Sequence, residues 1–116
     1  MKKYTTKDSG VAEHFETGMQ RDSREGKGRY DLVSPFALKR LAGVYERGAA
    51  KRGERNWELG SPYCRFLDSA IRHIYQYLEG KEDEDHLAQA AWNLFAVMHF
   101  EDTNREDLDD RPNYSV

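Results

Sequence analysis

The chain has 116 residues, 18 of them basic and 21 acidic, for a formal net charge of -3. That length suits one domain with a modest core, and the missing basic excess excludes a partner such as duplex nucleic acid. Charged residues reach 34% against 38% hydrophobic, and Cys64 is the single cysteine, so the core must sit in a few segments, no internal disulfide can form, and with no leader-like or membrane-length apolar run the expected setting is the reducing cytoplasm, away from membranes.

Residues 1–28 ("MKKYTTKDSGVAEHFETGMQRDSREGKG") are rich in charge, Gly, Ser and Thr and lack a sustained apolar period. They read as a flexible, extended N-terminal arm. The β-like run "RYDLV" is short and leads straight into a helix start. Ser34 is the expected N-cap of a first helix, with Pro35 at its first position. Leu38, Leu41, Ala42, Tyr45 and Ala49 then fall on one face. A second helix should start in the same way at Ser61 and Pro62, carry Leu67, Ile71, Ile74 and Leu78 as its stripe, and stop at Gly80. The third begins in the acidic run Glu82 to Asp85, where the helix macrodipole favours negative charge. Its stripe is Leu87, Ala91, Leu94 and Met98. The tail, residues 102–116, has the composition of a flexible terminus. The expected fold is therefore all-α, or mostly α, with a helical domain over residues 29–101 in which the second and third helices form an antiparallel hairpin.

That hairpin sets His73 and His86 at similar heights on either side of the turn. Asp83, Glu84 and Asp85 stand beside them, so oxygen and nitrogen donors for a divalent cation such as Mg²⁺ are close together. The competing reading is that Asp83 or Asp85 only caps the third helix. Asn93 is a polar amide within "AQAAWNLFAV": it is either hydrogen-bonded between helices or aimed into a pocket, since burial without partners costs roughly 1–3 kcal/mol. Among the basic residues, Arg72 has Asp68 one turn before it. Lys27 and Arg29 cluster before Asp31; Arg29 and Lys51 show no such local partner and, if they converge, would suit a phosphate group. Trp57 in the loop "RGERNWELGSP" either covers the core or stacks on a base, with Asn56 reading an edge. No phosphate-binding glycine loop, paired-cysteine zinc motif or serine nucleophile elbow is present.

The runs "FETGMQRDSREGKGRYDLVSPFALKRLA", "GAAKRGERNWELGSP", "RFLDSAIRHIYQYLEG" and "EDHLAQAAWNLFAVMHFE", in that order, resemble the dATP/dGTP diphosphohydrolase N-terminal domain family, common in bacteriophages and prophages. The resemblance covers about residues 15 to 101. It implies metal-dependent hydrolysis of a purine deoxynucleoside triphosphate to the monophosphate and pyrophosphate, with Mg²⁺ or Mn²⁺ as cofactor, in the cytoplasm of a bacterial host. Family-typical positions fall on Lys27, Arg29, Asp31, Gly48, Lys51, Asn56, Trp57, Arg72, His73, Asp85, His86 and Asn93. The ExxE and ExxD helix pair of the MazG-type pyrophosphohydrolases is missing: "EHFE" lies in the arm and "EGKE" crosses a glycine turn. A metal would then rest on Asp85, His86 and Asp31, with His73, Asp85 and His86 as catalytic groups and Lys27, Arg29, Lys51, Asn56, Trp57, Arg72 and Asn93 around the nucleotide. Two alternatives stand beside catalysis: a protein that binds or sequesters a nucleotide, and a helical oligomerisation module. A small helical domain often needs a partner to complete its core, so a homo-oligomer, most simply a dimer, is expected.

Overall fold

A computed structural model describes residues 2–115, which form two compact units divided between Val33 and Ser34. The first contains a hairpin rather than a strandless arm. Strand β1, Ala12–His14, pairs antiparallel with β2, Gln20–Asp22, in the register Ala12 to Asp22 and His14 to Gln20. Gly18, at φ 93°, lets the chain reverse between them, a conformation that L residues with a side chain seldom adopt. Alternating hydrophobicity is absent because no residue here is buried, so the hairpin left no apolar signature to read. The fold is thus mostly helical, not all-α. The β-like run does not form a strand either: Tyr30–Leu32 is a short 3-10 turn.

The second unit holds three helices: α1, Pro35–Arg52; α2, Tyr63–Leu78; and α3, His86–Asp102. Ser34 caps α1 as expected, its hydroxyl accepting from the Ala37 N–H at 3.2 Å. Helix α2 starts differently. Pro62 occupies the cap position with extended ψ, so Ser61 caps nothing. Instead the Asp110 carboxylate, returning from the C-terminal segment, accepts from the Cys64 N–H at 2.9 Å. A 3-10 turn, Glu106–Leu108, brings that segment back, and Leu108 packs on the core.

Helices α2 and α3 meet through Phe66 and Phe100, Ser69 and Asn93, and His73 and His86. Partner numbers rise along one helix as they fall along the other, so the two run antiparallel. The core is Tyr63, Phe66, Ala96 and Phe100, with Trp57, Trp92, Val97 and Leu108 against it. Ala70, Ala88 and Ala90 are also buried, and such small residues let helix backbones approach closely. The expected apolar stripes are not what α2 and α3 bury. Ile71, Ile74, Leu78, Leu87, Leu94 and Met98 are all exposed, as is Leu38 on α1, where Leu41 and Val44 are buried. Among the described residues no helix is long and apolar enough to cross a membrane.

Candidate functional site

The end of the α2–α3 pair nearest its connecting loop carries the chemistry. His73 Nδ1 lies 2.9 Å from His86 Nδ1, and His86 Nε2 lies 2.8 Å from Asp83 Oδ1. A carboxylate only accepts, so His86 donates its Nε2–H to Asp83, and in the neutral tautomer its bare Nδ1 accepts from the His73 Nδ1–H. Both imidazoles are buried, with exposures of 8% and 2%. Burial holds the His73 imidazole below the usual histidine range and so favours its neutral form. The hydrogen bond from His86 holds the Asp83 carboxyl below the usual carboxylate range. Glu84 adds a further carboxylate: one donor atom each from His73, Glu84 and His86 lie within 4.8 Å of one another. One turn beyond His73, Gln76 Oε1 is buried with no hydrogen-bond partner.

This donor set could hold a divalent ion. The 2.9 Å between the two Nδ1 atoms is itself a hydrogen bond, donated by His73 to the bare His86 nitrogen; an ion held by both rings would replace that proton and, if tetrahedral, set the nitrogens roughly 3.3 Å apart. Two imidazoles and one carboxylate favour a borderline ion such as Zn²⁺ over Mn²⁺, and Mn²⁺ in turn over Mg²⁺, which prefers oxygen most strongly. Asp83 completes the arrangement, since a carboxylate on the far ring nitrogen fixes a ligating histidine's tautomer and orientation.

Asp85 has a different task. It caps α3 by accepting from the Ala88 N–H and is gripped by Arg40, whose Nε and Nη2 donate at 2.9 and 2.6 Å. That ion pair, with its direct hydrogen bonds, pulls the Asp85 carboxyl down and removes it from the ligand set in this arrangement. Beside it opens a cavity of about 720 Å³ lined by Lys39, Arg40, Gly43, Arg47, Tyr77, Lys81, Glu82, Asp83, Glu84, Asp85, His86 and Leu87. Four cations and four carboxylates therefore border the space that His86 and Glu84 face, with Arg40 paired to Asp85 and Lys81 to Glu79, so Lys39 and Arg47 are the lining cations outside those ion pairs. Arg40, Gly43 and Arg47 recur at helical spacing on α1, the signal that could have found them in the sequence.

A second cavity, of about 600 Å³, lies towards the other end of α1, with Tyr45, Gly48, Ala49, Arg52, Arg55, Asn56, Trp57, Phe66 and Trp92 among its lining residues. Trp57 meets Tyr45 edge-on at 5.9 Å and His99 at 4.8 Å between ring centroids. It thus packs on the core and borders the cavity together. Helix α1 connects the two spaces, with Arg47 lining the first and Gly48 the second.

The remaining expected residues are distributed as follows. Lys27 and Arg29 do have local partners: Lys27 Nζ reaches Asp22 at 2.7 Å, and Arg29 holds both oxygens of Asp31 at 2.9 Å. Asp31 is accordingly committed to a guanidinium. Arg72 pairs with Asp68 at 3.4 Å, as the one-turn spacing suggested. Asn93 is 3% exposed, and its amide donates to the Gln89 carbonyl at 2.8 Å and to Ser69 at 3.3 Å. It joins the helices rather than facing a cavity. Asn56 and Trp57 line the aromatic space, whereas Lys51 does not and its neighbour Arg52 does.

A family model described as dATP/dGTP diphosphohydrolase, N-terminal, matches residues 11–111 of the chain. No curated protein and no solved structure matches.

Proposed function

The chain belongs to the dATP/dGTP diphosphohydrolase N-terminal family, and on that premise we propose that it hydrolyses a purine deoxynucleoside triphosphate to the monophosphate and pyrophosphate. One structural observation carries the reading: a buried imidazole pair with a carboxylate beside it, bordering a cavity whose lining joins the cations Lys39, Arg40, Arg47 and Lys81 to the carboxylates of residues 82–85. In this reading those cations hold the triphosphate, and Arg47 and Lys81 meet charge that builds on the leaving pyrophosphate. His73, His86 and Glu84 hold Mn²⁺ or Mg²⁺, which supplies charge neutralisation and an activated water when bound. With Glu84 given to the ion, Glu82 at the cavity wall would be the carboxylate to take a proton from the attacking water. The purine lies against Trp57, Tyr45 and Trp92 in the aromatic cavity, with Asn56 available to a base edge.

The test is direct. Purified protein incubated with dATP, dGTP and the other nucleoside triphosphates, with Mn²⁺ or Mg²⁺, should release dAMP or dGMP and pyrophosphate, resolved by chromatography. Turnover should fall at least tenfold in His86→Ala and in Glu84→Gln. If every nucleotide returns intact while one stays bound to the protein, the hydrolase reading fails and retention of a nucleotide replaces it.

A further inference from the structure

Helices α2 and α3 each carry an apolar stripe at the same spacing: Leu67, Ile71, Ile74, Tyr75 and Leu78 on one, Leu87, Ala91, Leu94, Phe95 and Met98 on the other. None of the ten is charged. Eight of them are 40% to 70% exposed. Taking about 200 Å² for a large side chain, they leave on the order of 800 Å² of apolar surface open to water. That exceeds the largest apolar patch of a typical monomer, roughly 300–600 Å², and equals the roughly 800 Å² per partner of a standard interface.

Helical geometry makes the two stripes one surface. At 100° per residue, each stripe is rotated in the same sense from the face its helix buries. In an antiparallel pair, equal senses point to the same side of the hairpin. Trp92, which meets Tyr45 of α1, lies on the opposite flank of α3, so α1 covers the far side and leaves this one free. The surface is consequently almost two-fold symmetric in itself, with matching rows running in opposite directions. A surface of that kind is complementary to its own copy, and an isologous pair closes without leaving a sticky remainder.

We infer that this face is a dimer interface, in which the α2–α3 hairpins of two copies pack their stripes together as a four-helix arrangement. Apart from Leu87, which also lines the cavity beside Asp85, the face shares no residue with the proposed nucleotide site, and the contact stands or falls separately from it.

Two measurements on the whole protein decide it. Light scattering during size exclusion at micromolar concentration should give twice the 13.5 kDa of one chain. Ile71→Glu and Leu94→Glu should each give a single chain with unchanged helical circular dichroism. The second measurement uses wild type alone, so a poorly folding variant cannot obscure it. Met98 and Met19 are 51% and 55% exposed in one chain and should oxidise at similar rates in dilute peroxide if both are free. In the dimer Met98 should oxidise several-fold more slowly, read by mass spectrometry of peptides. A monomer with both methionines equally reactive overturns the inference. A monomer with Met98 protected also overturns it and assigns the face to another part of the same chain.

Discussion

Asp83 illustrates how one exposed side chain sets the chemistry of a buried one. Its carboxylate fixes the His86 proton on Nε2, and this leaves the Nδ1 lone pair facing His73. Replacing Asp83 with Asn preserves shape but removes the carboxylate that fixes the ring's tautomer and orientation. Such partners of a ligating histidine typically contribute 10- to 100-fold in metal affinity. Calorimetric titration with Mn²⁺ or Zn²⁺ alone, without nucleotide, should therefore show affinity lowered about 10- to 100-fold in Asp83→Asn and abolished in His73→Ala. Equal affinity in all three proteins would mean that the imidazole pair is an internal hydrogen bond and no metal centre. The wild type should also bind Mn²⁺ more tightly than Mg²⁺, because two of three donors are nitrogen.

The elements show where a sequence informs and where it does not. Helix ends were legible when the signal was local: Ser34 and Pro35 open α1, Gly80 follows α2, and Asp85 caps α3. The start of α2 was not, because its cap comes from Asp110, 46 residues away. The same holds for Asp85, whose partner Arg40 lies 45 residues before it. Periodicity marked the leucine and isoleucine stripes as the buried faces. It cannot distinguish a face covered within one chain from one covered by another molecule, and the interior belongs to alanines, aromatics, Asn93 and the histidines. The remote cap has a pH signature. Asp110 has its carboxyl lowered, first by the Cys64 backbone N–H and then by the thiol. A carboxyl lowered on folding stabilises above its unfolded value of about 3.9, and the contribution is lost as pH falls through the folded value. Asp110→Ala should melt below wild type at pH 7, and the difference should narrow as pH falls below about 4, towards the lowered folded value. A gap that stays constant over that range would show that the charge at this cap contributes nothing.

At the scale of the whole chain, the two units differ in what could hold each together alone. The helical unit draws its core from within itself: Tyr63, Phe66, Ala96 and Phe100 pack with Trp57, Trp92 and Leu108, all beyond Ser34. It also contains His73, Glu84, His86 and the residues lining both cavities. Among its described residues the N-terminal unit buries no side chain, and its two strands have three residues each. A lone two-stranded hairpin is marginal in water, and its hydrogen bonds and ion pairs, such as Lys27 with Asp22, are exposed. A fragment of residues 34–116 should therefore keep the helical signal and a cooperative melt, and should bind Mn²⁺ with the affinity of the full chain. A peptide of residues 1–33 should show a largely unstructured spectrum. If the 34–116 fragment lost its cooperative transition, the N-terminal unit would have to supply part of the core, and the helices would not be the self-sufficient scaffold on which the imidazole pair depends.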